Sequence, residues 1–298
     1  MKKIIVTGGL GFIGSNLIKL LIKRKFKVLN LDKISYAANF YNLKDLKKNK
    51  KNFFLKNDLS NEKKLKKIIH EFNPDCVFNL AAETHVDRSI ENPNDFIFSN
   101  IIGTFNLLNS LSNHIKRKPK FKFIQISTDE VFGDKIKGRS KENDSLLPSS
   151  PYAATKASSD LLVYSYFKTF NYPIIVTNLI NEKNLPIYGK GKNSREWIYV
   201  EDHCNALLKI LNKGKIGEFY NIGSGLNYNN LQIVKMLIKI AKLKLNITIN
   251  NNIKFVKDRP AHDLRYAINS DKIKNEIKWK AKTKLYEGLK KTFNWYLK

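Results

Sequence analysis

A chain of 298 residues with 42% hydrophobic and 11% aromatic residues can bury a large core, as one large domain or two closely joined ones. Its apolar runs, such as residues 17–22, are broken by Lys or Arg before they reach membrane-spanning length. The formal charge of +28 comes almost wholly from Lys scattered among Asn, with isolated Arg, which gives salt-sensitive attraction for anions and excludes a nucleic-acid-reading surface.

Two cysteines, Cys76 and Cys204, lie far apart without metal-ligand spacing, so no metal site is expected. Met1-Lys2-Lys3 leads straight into an apolar strand, without a secretory signal. The expected setting is a reducing cytoplasm, with neither membrane nor nucleic acid as partner.

In chain order, residues 3–7 form a strand and residues 13–22 an amphipathic helix, joined by Gly8-Gly9-Leu10-Gly11-Phe12-Ile13-Gly14. Gly8, Gly11 and Gly14 permit a tight turn, a close approach to a pyrophosphate and close helix packing. Phe12 and Ile13 then stand at the helix N-terminus where the phosphates would sit. A second strand over 27–31 ends at Asp32 and Lys33, the expected place for an acid that hydrogen-bonds a ribose. Asp32 would repel a 2′-phosphate, which selects NAD over NADP.

Further βα units follow, with a strand over 53–56, a helix over 62–72 and a buried strand over 76–80. Asp58, followed by Leu59, suits either a helix cap or an adenine contact. Ala81 and Ala82 leave room for a flat cofactor. The polar run 83–89 includes Thr84 and His85, the latter expected to be structural. A long helix over 92–111 and another over 152–170 carry enough apolar surface for a subunit interface.

The strand over 121–126 delivers Ser127-Thr128-Asp129-Glu130 to the sheet edge where α/β proteins do chemistry. Tyr152 and Lys156 lie four residues apart on the helix that Pro151 opens, so a phenol and an ammonium share one face. A lysine there favours the phenolate, and the Asp-Glu pair adds two proton-transfer groups. That is more than alcohol oxidation requires; the cluster suits oxidation followed by elimination. A strand over 174–177 and helices over 202–211, 231–243 and 285–297 complete the pattern, with 227–230 and 250–252 as polar connections. The expected fold is α/β, a doubly wound, Rossmann-like parallel sheet over residues 1–178 with a smaller mixed α/β substrate domain over 179–298.

These motifs, with Arg195-Glu196-Trp197-Ile198-Tyr199-Val200-Glu201-Asp202-His203, Tyr220-Asn221-Ile222-Gly223 and Asp258-Arg259-Pro260-Ala261-His262-Asp263, resemble the extended short-chain dehydrogenase/reductases over nearly the whole chain. More narrowly, the Thr128-Asp129-Glu130 triplet with Tyr152 and Lys156 is similar to the branch that dehydrates dTDP-glucose at carbons 4 and 6. The resemblance implies that Tyr152 takes the proton of the sugar 4-hydroxyl as hydride passes to NAD, and that Thr128 orients that hydroxyl. Glu130 would then abstract the C5 proton, and protonated Asp129 would help the 6-hydroxyl leave. Thr84, Arg195, Asn221, Arg259 and His262 are implied around the nucleotide, and thymidine is favoured.

The chain departs from this pattern after Asn178 and rejoins it at Leu185. The absent segment includes asparagines and a lysine that contact sugar, cofactor and nucleotide in the family, so one wall of the cleft is expected to have a gap. Two other readings stand beside the dehydratase. One is a related epimerase or decarboxylase of a UDP-sugar, which has no use for the Asp129-Glu130 pair. The other is a silent NAD-binding protein.

Overall fold

The computed structural model describes residues 2–179, 187–246, 253, 255–260 and 262–297. A seven-stranded sheet forms its centre, in the order β3-β2-β1-β4-β5-β6-β9, with every pairing parallel. The strands are β1 (Lys3–Thr7), β2 (Lys27–Asp32), β3 (Asn52–Lys56), β4 (Cys76–Asn79), β5 (Lys122–Ile126), β6 (Ile174–Leu179) and β9 (Phe219–Ile222). The inner strands are almost continuous apolar runs because helices cover both faces. The α/β class and the doubly wound sheet are thus as the sequence pattern predicts.

On one face, Leu17, Ile18 and Leu21 of the helix Phe12–Lys23 share a core with Leu207 and Ile210 of the helix Val200–Lys213. On the other, Leu65, Leu107, Leu111 and Val163 join the helices Glu62–Phe72, Gly103–Arg117 and Pro151–Phe170. The strand order reverses between β1 and β4, and ligands of doubly wound sheets bind in the crevice beyond the strand ends at such a point. The Thr7 hydroxyl closes that crevice, donating to Asn79 Oδ1 at 2.7 Å and accepting from the Leu80 and Ala81 amides, each at 3.1 Å.

Several elements differ from the sequence expectation. Strand β9 pairs with β6, so the main sheet draws its last strand from beyond residue 178. The helix expected over 92–111 begins at Asn94–Phe96, passes through a π-turn at Ile97–Ile102 and runs on as Gly103–Arg117; a separate helix, Val86–Glu91, precedes it. Residues 227–230 are more than a connection. Asn227–Asn229 forms β10, antiparallel to β8 (Ser194–Glu196), and Asn229 with Gln232 then makes a capping box for the helix Asn230–Leu245. A second small pair joins β7 (Ile187–Tyr188) to β11 (Phe255–Val256). The connection expected at 250–252 lies outside the described residues.

Candidate active site

Two cavities meet at the sheet's carboxyl edge and share Phe12, Thr84 and Tyr152 among their lining. The smaller, about 110 Å³, is bounded by Gly8, Gly11, Phe12, Ile13 and Gly14 on one side and by Asp32, Lys33, Asp58, Leu59, Ala81 and Ala82 on others, with Lys156 at its inner end. Its shape follows from the glycines. Gly8 has φ +66°, a region that favours glycine, and a Cβ on Gly14 would lie 2.3 Å from the Gly8 carbonyl oxygen. A Cβ on Gly11 would have only that oxygen near it, at 3.3 Å. No side chain caps the helix Phe12–Lys23, so its first amides face the cavity without a protein acceptor of that kind.

Asp32 is buried, its carboxylate accepting from the Leu10 and Ile34 amides at 3.0 and 2.8 Å. Lys33 pairs with Glu83 at 2.9 Å. Of the two uses open to Asp58, the cap falls elsewhere: Asn61 caps the helix Glu62–Phe72, while Asp58 accepts from the Ser60 amide at 2.8 Å and lines the cavity.

The candidate cluster sits where β5 ends against the helix Pro151–Phe170. Ser150 caps that helix and Pro151 occupies its first turn. The Tyr152 amide donates to Ser89 Oγ at 3.1 Å, and the Thr128 hydroxyl hydrogen-bonds the phenol. Burial, then the Glu130 carboxylate, pushes that phenol well above its ordinary pKa. The Lys156 ammonium, expected to favour the phenolate, donates to the Ile126 carbonyl at 2.6 Å, and burial pulls its pKa down. Enclosure by the protein thus favours the neutral phenol.

Asp129 and Glu130 are adjacent in sequence but differ in surroundings. Asp129 is 2% exposed, and burial followed by the Glu130 charge raises its carboxyl well above the usual range, against the pull of Arg195. Glu130 is half-buried and lines the larger cleft. One carboxyl is thus biased to hold a proton while its neighbour faces the cleft, the division of labour that an elimination needs.

The larger cleft, about 1020 Å³, collects Thr84, Glu130, Tyr152, Arg195, Arg259 and His262. Arg195 lies 4.0 Å over the Tyr266 ring and donates to the Ser194 and Asp263 carbonyls. Arg259 lies 4.5 Å over Tyr188 and pairs with Asp87 at 3.3 Å, and His262 is 2.5 Å from Asp258. His85 stands at the start of Val86–Glu91 and also lines the cleft. Asn221 stands apart. It is fully buried in β9, where its amide group donates to the Ser140 carbonyl and accepts from Asn178, and it lines neither cavity.

Sequence reasoning missed Asn100, whose side chain accepts from the Glu83 amide at 2.8 Å and donates to Thr155 Oγ1 at 2.9 Å. It lies in the π-turn, which leaves no periodic signal. It missed Tyr188 and Tyr266 as well, because stacking under an arginine is visible only across chain segments.

A glycine-walled cavity leading past a buried tyrosine–lysine pair into a larger cleft that holds Arg195 and Arg259 is the arrangement of an extended short-chain dehydrogenase/reductase. The particular family follows from comparison: the chain belongs to the GDP-mannose 4,6 dehydratase family, whose model matches residues 5–185 and 180–292. The two blocks meet at the stretch where the sequence departs from the pattern. Among its relatives, dTDP-glucose 4,6-dehydratase of Haemophilus influenzae is 39% identical over 333 positions, covering 100% of this chain and 98% of the relative. That alignment is longer than the 298-residue chain, so the relative has positions with no counterpart here. Among solved structures, DesIV, a dTDP-glucose 4,6-dehydratase of Streptomyces venezuelae determined with NAD and a second ligand, matches with a TM-score of 0.90 at 31% identity over 99% of this chain and 97% of its own. The Bacillus anthracis dTDP-glucose 4,6-dehydratase in complex with NAD matches with a TM-score of 0.86 at 36% identity over 100% and 97%.

Proposed function

We propose that the chain is an NAD-dependent lyase that converts dTDP-glucose to dTDP-4-keto-6-deoxyglucose. The observation that carries this reading is the Asp129–Glu130 pair, one carboxyl enclosed and the other open to the cleft, beside Tyr152 where the two cavities meet. Its relatives act, by name, on the same nucleotide sugar.

The smaller cavity fits a dinucleotide: the glycines leave the space that a Cβ would fill, the helix N-terminus suits phosphates, and Asp32 suits a ribose diol. NAD, when bound, supplies a hydride acceptor and a positive charge near Tyr152. Tyr152, as the phenolate that this positive charge would favour, takes the proton of the sugar 4-hydroxyl, which Thr128 orients. Oxidation at C4 acidifies the C5 proton, which Glu130 removes as a base facing the cleft. Asp129, biased by burial toward its protonated form, gives its proton to the 6-hydroxyl, which leaves as water; the C5–C6 alkene so formed would regain the hydride at C6 and a proton from Glu130 at C5. Arg195 and Arg259, with His262, suit the diphosphate because guanidinium forks match phosphate oxygens. Thr84, at the boundary of both cavities, suits the sugar. Asn221 has no direct contact in this proposal.

A cytoplasmic setting is supported by Cys76 and Cys204, which are free, buried thiols. No helix among the described residues is long and apolar enough to cross a membrane. A homodimer through the helical stretches 92–111 and 152–170 is supported by exposed Phe98 in the π-turn and by exposed Phe105, Leu161 and Phe170, and sedimentation equilibrium tests it against the one-chain mass.

Purified protein incubated with NAD and dTDP-glucose should yield a 4-keto product with alkali-induced absorbance, and UDP-glucose should yield little. Glu130→Gln should accumulate NADH absorbance without solvent exchange at C5. Absence of product from either nucleotide sugar, with NAD bound and the fold intact, would overturn the dehydratase reading in favour of a silent NAD-binding protein.

A further inference from the structure

Asp160 takes no part in the chemistry above, yet it is 1% exposed. It lies one helical turn beyond Lys156 and two beyond Tyr152 on Pro151–Phe170, so the three side chains stack along one face. That face rests on the end of β5. The Thr128 hydroxyl meets the Tyr152 phenol, the Lys156 ammonium donates to the Ile126 carbonyl, and the Ser127 hydroxyl donates to Asp160 Oδ2. Three successive residues of the strand end are thus joined to three successive turns of the helix.

The groups around Asp160 on each side are few. From the helix they are Lys156 and, further along, Tyr152; from the strand they are Ser127 and Gln125. Gln125 accepts from Asn79 at 2.8 Å, and Asn79 accepts from Thr7, the residue that closes the sheet crevice. Asp129 and Glu130 bear on Tyr152 from its other side. Among the described residues, Asp160 is therefore the carboxyl that touches the strand end while its charge acts on both Lys156 and Tyr152.

We propose that Asp160 is a positioning residue, which holds the helix bearing Tyr152 and Lys156 against the strand end bearing Thr128 and sets by its charge how readily the Tyr152 phenol ionises. The role rests on the dehydratase reading only for the identity of the substrate. Burial raises the Asp160 carboxyl to about 7, against the pull of Lys156. Its ionised form favours the Lys156 ammonium and opposes the Tyr152 phenolate. Removing that charge therefore lowers the pH at which Tyr152 ionises, while removing the Ser127 tie leaves that pH nearly unchanged.

Asp160→Asn keeps an oxygen for Ser127 and removes the charge; Ser127→Ala keeps the charge and removes the tie. The first readout is the tyrosinate absorbance of the NAD complex against pH, taken as the difference between each protein and the same protein with Tyr152→Phe. Asp160→Asn should move the ionisation to lower pH and Ser127→Ala should not; no movement in Asp160→Asn overturns the proposal. This titration needs no substrate, so a wild type without turnover rejects the dehydratase reading and leaves the titration to decide on Asp160. The second readout is steady-state kinetics with dTDP-glucose. Both variants should lose about ten- to a hundredfold in kcat at nearly constant KM, as expected when reacting groups are misplaced and binding is kept. A kcat within about twofold of wild type in both, or a loss confined to KM, overturns the positioning role. Should Asp160→Asn fail to fold, the kcat of Ser127→Ala decides: a loss supports the tie and no loss overturns it.

Discussion

Asp32 commits its carboxylate twice before any ligand arrives, to the amides of Leu10 and Ile34. Those bonds fix it in the lining of the smaller cavity, where a ribose diol can donate and a 2′-phosphate is repelled. Asp32→Ala should weaken NAD by roughly ten- to a hundredfold, as expected for hydrogen bonds to a charged group worth about 1.5 to 3 kcal/mol. It should affect NADP less, so calorimetry should find the preference eroded. Equal loss for both cofactors would take selection away from Asp32. Tyr152 and Asp129 illustrate the same scale from the opposite direction. Both are pushed toward their neutral forms chiefly by burial, so enclosure sets the resting proton inventory of the site.

At the scale of elements, the turn from β1 into the helix Phe12–Lys23 has two glycines with separable duties. A methyl group on Gly14 would meet the Gly8 oxygen at 2.3 Å and the Gly9 Cα at 2.8 Å, so the helix would have to move off the strand. Gly14→Ala should cost about 1 to 3 kcal/mol as an overpacked contact, lowering the melting temperature with or without NAD. Gly11→Ala meets nothing nearer than 3.3 Å and intrudes on the cavity. It should melt like the wild type and bind NAD more weakly. The reverse pattern in paired melting and NAD titrations would exchange the two roles.

For the whole molecule, the cleft does not end at Arg195 and Arg259. It runs on between the helices Asn230–Leu245 and Leu285–Tyr296, past Leu237, Ile238, Leu289 and Phe293. The stretch where the sequence departs from the relatives' pattern, after Asn178, lies outside the described residues from 180 to 186, and the alignments to the relatives carry positions this chain lacks. Remote binding energy from the nucleotide helps to hold the sugar in a reactive geometry, so the shortening should lower kcat/KM more than the loss of a single surface contact does. Inserting the relative's segment between Asn178 and Leu185 should raise kcat/KM for dTDP-glucose by about tenfold or more, with NAD affinity unchanged. An insertion that folds, binds NAD and leaves turnover where it was would show that the shortening does not limit this enzyme.

The sequence by itself determined the alternation of strands and helices, the glycine turn, the acid at the end of β2, the run Thr128-Asp129-Glu130 and the one-turn spacing of Tyr152 and Lys156. These are local in cause: periodicity, turn chemistry and helical spacing act within a few residues. What lies across the chain was decided only by the tertiary structure. Strand β9 joins the main sheet because its edge complements β6, far from it in sequence, and that pairing encloses Asn221 among Ser140 and Asn178. The π-turn that aims Asn100 at Thr155 carries no pattern of its own. The proton states also belong to the folded molecule. Lys156 lies four residues from Tyr152 in any helix, but only the packed site sends its ammonium to the Ile126 carbonyl and encloses the phenol, whose burial raises its pKa.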